Sequence, residues 1–335
     1  MNEKNSIQKR SFLTKITQSE IFLLSCALIL LCVVIYCLTP VFLSYRNIMN
    51  TLRQVSLTAI CGFGMTMIIL LGEIDLSVGS QQAVAGIISV VVLNATGSVL
   101  LAVLAAVAAG AIVGTLNGIL VTKMKLNSMV ATLGTMAIWR GLSMVVTGAV
   151  SIQSEYPAFA ELGTGFTGPI PNTVIIAAVL YGIVFYVLNH TTFGRKLYAV
   201  GGNAEAARLS GVPVERIKMI VYISAGMLTM LAGVLLASRM ASAQPTAGTG
   251  FEMVVISAVI LGGVSMSGGS GSIAGALIGM LILGVLQNGL TLLDVSSFWQ
   301  DISRGIVIIL AVYLDVTRKK RAAKKLVAEQ QKNQQ

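Results

Sequence analysis

Long apolar runs, separated by short polar stretches, make up most of this chain. A helix needs about 20 mostly apolar residues to cross a bilayer, and several of the runs approach or exceed that length. The candidate spans lie at 21–39, 55–72, 80–96, 98–122, 128–148, 172–189, 217–238, 252–264, 272–292 and 301–315. The pattern therefore predicts an all-α polytopic membrane protein with about ten transmembrane helices. The regions 73–97 and 252–271 hold short spans that are candidates for broken or re-entrant segments.

Composition agrees with a bilayer as the solvent. The chain is 55% hydrophobic and 11% charged, and its mean hydropathy is +0.85, whereas a soluble domain usually has about 25% charged residues. Lys and Arg occur in three clusters: one precedes the first span, one lies between spans six and seven, and one follows the last span. The positive-inside rule places all three in the cytoplasm. We interpret these charges as topological, beside lipid, and expect no nucleic acid partner.

The predicted organisation is one membrane domain with two basic tails. The tails occupy 1–20 and 316–335, and the transmembrane domain occupies 21–315. A loop at 149–171 contains no Lys or Arg, which favours the outer face. We expect a multi-pass protein of the bacterial inner membrane.

A polar stretch at 190–218, HTTFGRKLYAVGGNAEAARLSGVPVERIK, differs from everything around it. Asn203 is a candidate N-cap, AEAARL contains strong helix formers, and Gly211 with Pro213 ends the pattern. The result is a cytoplasmic helix of about two turns, which is too short to be stable alone in water. It therefore needs to pack against this chain, against a partner, or against both. An exposed helix of this kind suits a partner that grips it and supplies energy.

Catalytic equipment is not evident in the sequence. There is no GxxxxGK[ST] phosphate loop, and the one histidine, His190, stands at the end of a span. The four cysteines have no metal-ligand spacing. We therefore expect a protein that is not an enzyme and that binds no cofactor or metal itself.

Two carboxylates in LLGEIDLSVGS are the sharpest polar signal. Glu73 and Asp75 lie between two apolar runs, where unpaired carboxylates are costly and mark candidate functional sites. One hypothesis places Glu73, Asp75 and Ser77 at the transport pathway or its inner gate. The alternative for Asp75 is that, with Ser77, it caps a helix that begins near Leu76. A proton-coupling role for Glu73 is a third possibility.

Other polar residues within spans leave two interpretations open. Asn117, Asn288, Gln287 and Arg140 either bond helices together or present polar groups to a hydroxylated solute. On the outer side, a polar patch belongs either to the pathway mouth and a delivering protein or to an ordinary loop. Its candidate contact residues are Gln244, Pro245, Thr246 and Glu252.

An internal echo relates two segments of the chain. IILLGEIDLSVGSQQAVAG, from Ile68, is similar to VILGGVSMSGGSGSIAGALIG, from Val259, with a gap. Each is an apolar run, a glycine, a polar break and then a helix of small residues. Many transporters build a central pathway from such repeated broken helices.

Several long motifs, in order, resemble the permease subunits of bacterial ATP-binding-cassette sugar importers, in the branch that includes the ribose permease. The segments that carry the resemblance are GEIDLSVGS at 72–80, YAVGGNAEAARLSGV at 198–212, SAQPTAGTGFE at 242–252, LGGVSMSGGSGSIAGALIG at 261–279 and QNGLTLLDVSSFWQ at 287–300. The likeness covers about residues 20 to 315. The chain departs from the familiar pattern at Glu73, at Ser265–Met266–Ser267 and in its longer basic tail.

The resemblance implies a fold and a set of partners. Two permease copies would surround a central pathway, two cytoplasmic ATPase subunits would bind ATP and Mg²⁺, and a periplasmic or lipid-anchored binding protein would deliver the sugar. The segment that corresponds to the ATPase-coupling helix consists of Gly201, Gly202, Asn203, Glu205, Arg208, Leu209, Ser210 and Gly211.

The resemblance implies a monosaccharide as the solute, with ribose favoured. Alternatives are the same machinery for galactose, xylose or a furanone-type signal, and a proton-coupled secondary transporter that uses Glu73 or Asp75.

Overall fold

The structure is a computed structural model and describes residues 20–303, together with 305–307, 309, 310, 313 and 317. The predicted basic tails lie almost entirely outside these residues, and much of the predicted span 301–315 does too. The helices are α1 (Glu20–Leu38), α2 (Tyr45–Leu70), α3 (Val78–Thr96), α4 (Val99–Thr122), α5 (Ser128–Thr147), α6 (Pro157–Thr164), α7 (Asn172–His190), α8 (Thr192–Gly202), α9 (Ala204–Leu209), α10 (Val214–Met240), α11 (Phe251–Leu261) and α12 (Ile273–Leu292). A 3-10 turn, Pro40–Leu43, joins α1 to α2.

Strands are few and short in the described residues. β1 (Ile152–Gln153) pairs antiparallel with β4 (Ser242–Ala243), and β2 (Phe166–Thr167) pairs antiparallel with β3 (Ile170–Pro171). Both pairs lie at the end of the bundle that we call the outer end. The opposite, inner end carries α8, α9 and the basic residues of the central loop.

The all-α polytopic architecture is confirmed. Within the described residues, eight helices are long and apolar enough to cross a membrane: α1 to α5, α7, α10 and α12. Helix α11 is apolar but has 11 residues, which at 1.5 Å per residue cover about half of a hydrocarbon core. The short segment predicted at 252–264 is therefore a half-span.

The helices differ from the sequence prediction in two places: one helix is longer, and the central loop contains an additional helix. Helix α2 begins at Tyr45, ten residues before the predicted start, because the polar stretch at 45–54 is helical as well. Some of its polar side chains contact protein: Asn47 exchanges hydrogen bonds with Asn288 on α12, whereas Arg46 and Asn50 are exposed. The central loop contains two helices where one was predicted, since α8 precedes α9.

Helix α10 forms the centre of the bundle and packs against α2, α3 and α4. Its contact with α4 depends on glycine. A Cβ atom on Gly110 would lie 2.6 Å from the carbonyl oxygen of Gly226, and one on Gly226 would lie 3.1 Å from the Cα of Gly114. The two backbones therefore touch directly, as small residues allow in lipid, where packing replaces the hydrophobic drive.

Two non-helical connectors meet at the inner end of the bundle. One follows α2 at 71–77 and the other follows α11 at 262–272. Each starts with a left-handed glycine, Gly72 at φ 75° and Gly263 at φ 87°. The amide of Gly269 donates a 2.9 Å hydrogen bond to the carbonyl of Leu70, which joins the connectors. The two segments of the sequence echo thus have matching local structure and are neighbours in space.

The glycine contact between α4 and α10 gives a stability prediction. Gly226→Val should lower the free energy of unfolding by about 1–3 kcal/mol, because the added methyl groups have to force the two helices apart. Thermal unfolding of the detergent-solubilised protein, followed by size-exclusion chromatography, measures the effect. Gly182→Val is the matched control, since a Cβ atom at Gly182 has no heavy atom within 4 Å. Equal losses in the two variants would contradict this account of the packing.

Candidate functional site

Helix α8 is anchored to the inner end of the bundle. Its Leu197 and Val200 side chains are buried in the main core, and the Tyr198 hydroxyl donates a 3.0 Å hydrogen bond to the carbonyl of Gly271. Burial raises the pKa of Tyr198, so this hydroxyl keeps its proton and remains a donor. At the end of α8, a Cβ atom on Gly201 would lie 2.7 Å from the amide of Gly269. Helix α8 therefore rests directly on both connectors.

Helix α9 projects from that anchor. The Asn203 side chain accepts a 2.9 Å hydrogen bond from the amide of Ala206, which confirms the predicted N-cap, and Gly211 ends the helix at φ 80°. Ala207 is buried, whereas Leu209 is 83% exposed at the inner end. Arg208 pairs with Glu215 on α10 at 2.7 Å. The candidate coupling residues all lie at the end of α8 or in α9 and the residues next to it, and all except Gly201 are exposed. We call α8 and α9 together the inner elbow.

Glu73 has a partner that the sequence did not reveal. Its carboxylate forms an ion pair with the ammonium group of Lys218, at the start of α10. The two side chains keep only 14% and 20% of their surface exposed. This pair ties the first connector to the segment that follows the inner elbow.

Asp75 is the centre of a buried polar cluster. Its Oδ1 atom accepts hydrogen bonds from the backbone amide and the hydroxyl of Ser77, at 2.8 and 2.5 Å. The Ser77 hydroxyl accepts in turn from the side-chain amides of Gln81 at 2.7 Å and Asn117 at 3.0 Å. Burial raises the pKa of Asp75, which lies in the connector between α2 and α3, while its bonds to Ser77 oppose that shift.

This cluster corrects the idea that Asp75 caps a helix near Leu76. Helix α3 begins at Val78, and its N-cap residue, Ser77, makes no side-chain capping bond. Asp75 instead folds the connector locally, through Ser77, and joins it to α4 through Asn117. The Oδ1 atom of Asn117 and the Oε1 atom of Gln81 are buried without a hydrogen-bond partner in the described part of the chain.

The outer candidate residues lie in the loop before α11 and in its first turn, and this segment reaches the start of α3, where Glu252 and Gly248 lie against Gly79. The guanidinium of Arg140 donates to the carbonyls of Pro245 and Ala247, at 2.6 and 2.9 Å, and so holds the loop before α11 in place. Pro245 is buried, Thr246 is exposed, and Gln244 and Glu252 are half-buried. Asn288 bonds Asn47 near the outer ends of α12 and α2.

The structure thus brings together some of the predicted residues and separates others. Asp75, Ser77 and Asn117 meet, Glu73 lies beside them in the same connector, and Asn288 belongs to the outer half. Sequence reasoning missed Gln81 and Lys218. Gln81 stands one helical turn after Ser77, a spacing that signals contact, whereas no local signal links Lys218 to Glu73. In the described residues, no group of three or more His, Cys, Asp or Glu side chains is placed to hold a metal ion.

Comparison with known proteins identifies relatives over most of the chain. A family model described as a branched-chain amino acid transport system permease component matches residues 47–312. The ribose import permease protein RbsC of Bacillus subtilis (strain 168) is 45% identical over 298 residues, which cover 88% of this chain and 92% of that protein. The corresponding protein of Escherichia coli (strain K12) is 44% identical over 293 residues, which cover 86% and 91%.

An arabinose permease is nearly as similar. The L-arabinose ABC transporter permease protein AraH of Azospirillum brasilense is 41% identical over 284 residues, which cover 84% of this chain and 83% of that protein. No solved structure matches the chain with significance.

The Asp75 cluster allows a test of whether the protein needs a hydrogen-bond acceptor at position 75 or a negative charge there. Asp75→Asn should leave the protein about as stable as the wild type, because its Oδ1 atom still accepts from Ser77. Asp75→Leu should lower the free energy of unfolding by about 2–4 kcal/mol, because it leaves several buried donors without an acceptor. Thermal unfolding of the two purified variants is the measurement. If the two variants lose the same stability, the acceptor role is wrong.

Proposed function

Because this chain belongs to the family of transport permease components that contains the ribose and arabinose permeases, we propose that it forms the membrane pathway of an ATP-dependent ribose importer. It is a multi-pass protein of the bacterial inner membrane and is not itself an enzyme. Its class of transporter works with ATPase subunits and a binding protein. Ribose is favoured over arabinose because the ribose permeases are 41–45% identical to this chain, whereas the arabinose permeases are 39–41% identical.

The inner elbow is the observation that carries the proposal. Leu209 exposes 83% of its surface at the inner end, beyond the apolar spans, where lipid does not cover it. An apolar tip flanked by Glu205 and Arg208 suits a groove on a partner protein, since buried apolar anchors with a charged rim give specific docking. We propose that the partner is the ATPase subunit, which holds ATP and Mg²⁺ itself.

Motion of the elbow would reach the pathway through the connectors. Gly201 contacts Leu70 and Gly269, and Tyr198 bonds Gly271, so a displacement of α8 has to move both connectors or break these contacts. Packed elements of this kind shift between discrete arrangements as rigid bodies. ATP-driven closure of the ATPases would therefore tilt α3 and α12, which begin at the ends of the connectors, and alternate the access of the pathway.

The remaining partners complete the proposed assembly. A second copy of this chain would form the other wall of the pathway. The outer loop that carries Gln244, Pro245, Thr246 and Glu252 would face the periplasmic binding protein. Glu73, Asp75, Ser77 and Asn117 would belong to the inner gate, and Asn288 to the outer half of the wall. The ion pair with Lys218 gives Glu73 a structural role and favours the ATP-driven importer over a proton-coupled carrier that uses Glu73.

Uptake by the complete importer tests the solute. Cells or vesicles that contain this chain, its ATPase and its binding protein should accumulate labelled ribose, and unlabelled ribose should compete better than arabinose, galactose or xylose. Uptake should continue in the presence of an uncoupler as long as ATP is supplied. Competition by arabinose alone would overturn the assignment of ribose, and loss of uptake with the uncoupler would favour the proton-coupled alternative.

Substitutions in α9 test the elbow. Arg208→Glu and Leu209→Ser should reduce the amount of ATPase subunit that co-purifies with the permease by about tenfold or more, since hot-spot residues contribute about 2 kcal/mol or more at an interface. The permease itself should stay folded, because both side chains are exposed. Lys123→Glu is the matched control, since it reverses an exposed charge in another inner loop. Normal co-purification of both α9 variants would show that the elbow does not dock the ATPase.

A further inference from the structure

A cavity of about 260 Å³ opens between α2, α3, α10, α11 and α12. Six residues with polar side chains line it, namely Gln54 and Thr58 on α2, Gln82 on α3, Arg239 on α10, Thr249 in the loop before α11 and Gln287 on α12. We call this cavity the amide chamber. Leu57, Phe251 and Val254 supply apolar surface on the same walls.

The amide chamber extends from the middle of the bundle into its outer half, where Arg239 and Gln287 lie. Thr58 is 13 residues from the outer end of α2, which begins at Tyr45, and 12 residues from its inner end at Leu70. Two helices that start inside the bundle contribute their first turns, α3 with Gln82 and α11 with Phe251. Transporters commonly place solute sites near the midplane, at the ends of discontinuous helices.

Four of the polar side chains of the amide chamber, those of Gln54, Thr58, Gln82 and Gln287, make no side-chain hydrogen bond to a residue that the structure describes. Thr249, by contrast, donates to the carbonyl of Thr246. Gln82 is the decisive case, because it is 2% exposed and its Oε1 atom is buried without a partner. Thr58 is similar, since Thr51 and Thr66 on the same helix donate to carbonyl oxygens four residues earlier and Thr58 does not. Buried polar groups are normally bonded, so the unbonded Oε1 atom of Gln82 requires a ligand or water, and the half-buried side chains of Gln54, Thr58 and Gln287 line the same cavity.

The chemistry of the walls selects a class of solute. Three amides and two hydroxyls, those of Thr58 and Thr249, can donate and accept hydrogen bonds, and no carboxylate lines the chamber among the described residues. The apolar residues suit the C–H face of a small ring. Arg239 contributes one guanidinium at the rim, where it donates a 3.4 Å hydrogen bond to Asn50. Asn50 in turn lines a larger outer cleft of about 710 Å³.

We propose that the amide chamber is a solute site of the transport pathway and takes a neutral, polyhydroxylated molecule such as a monosaccharide. This deepens the proposed importer function and rests on it. The outer cleft is the entrance from the binding-protein side, and the contact between Arg239 and Asn50 stands at the boundary. Solute hydroxyls exchange hydrogen bonds with Thr58 and Gln82, which the protein leaves without partners of their own.

Transport by the reconstituted complex, with its ATPase and binding protein, is the first test. Thr58→Val and Gln82→Leu should each lower ribose uptake about threefold to tenfold, the effect of losing a neutral hydrogen bond of about 0.5–1.5 kcal/mol. Their thermal stability should equal or exceed that of the wild type, because an unbonded buried polar group is replaced by an apolar one. Thr115→Val on α4 is the matched control: Thr115 is also half-buried, but it bonds the carbonyl of Ala111 and does not line the chamber.

Thiol labelling is the second test and does not depend on transport. In a variant without the four native cysteines, Thr58→Cys should react with a small water-soluble methanethiosulfonate, and a high concentration of ribose should slow the reaction. Thr115→Cys should show no slowing by ribose. Normal uptake by both chamber variants, or no labelling of Thr58→Cys, would overturn the proposal. If the wild type does not import ribose while another sugar slows the labelling, the proposed solute is wrong and the chamber remains supported.

Discussion

The backbone of a membrane protein has to satisfy its own hydrogen bonds wherever water is absent, and the two connectors at the inner end are where this constraint acts most strongly. The chain leaves the helical state at 71–77 and 262–272, and much of both segments is covered by protein, although Gly72, Ser267 and Ser270 are exposed. Hydrogen bonds between and within the connectors satisfy backbone groups there. The carbonyl of Leu70 accepts from the amide of Gly269, and the Asp75 carboxylate accepts from the amide of Ser77. Glycines at these contacts allow the backbones to approach closely, and α8 closes the arrangement from the inner side.

This junction connects the inner elbow directly to the connectors, so that the proposed docking surface and the proposed inner gate are in contact. Gly201, before α9, contacts the carbonyl of Leu70 at the start of the first connector, and Lys218, after α9, forms an ion pair with Glu73 in that connector. The segments on both sides of α9 therefore contact the first connector. Helix α10 then extends from that point through the whole bundle and contacts α4 through glycine. A partner that moves α9 therefore acts on packed backbone. Such contacts are stiff, since a dense interior transmits displacement instead of absorbing it.

The two polar regions of the bundle differ in a way that suits their proposed roles. Around Asp75, short hydrogen bonds from Ser77, Gln81 and Asn117 stiffen the start of α3. In the amide chamber, Gln82 has no such bonds, although it stands next to Gln81 in the sequence. Neighbouring residues on a helix point to different faces, so one glutamine builds the scaffold and the next is left for a solute. A pathway needs weakly engaged groups, since a solute that binds tightly is slow to leave.

The sequence by itself determined the class of the molecule and most of its helices, because hydrophobic length and charge asymmetry are properties of single segments. It also determined the N-cap at Asn203 and the end of α9 at Gly211, since both follow from local backbone chemistry. It missed the first ten residues of α2 and the whole of α8, because neither is apolar enough to indicate a span and both are held by distant parts of the chain, as in the contact of Asn47 with Asn288 and the burial of Leu197 in the core. The pairing of Glu73 with Lys218, across 145 positions, and the meeting of α2, α3 and α12 around the amide chamber were decided by tertiary structure alone. Contacts between residues so far apart depend on how the helices pack, and packing in lipid is set by the fit of small residues that occur throughout the chain.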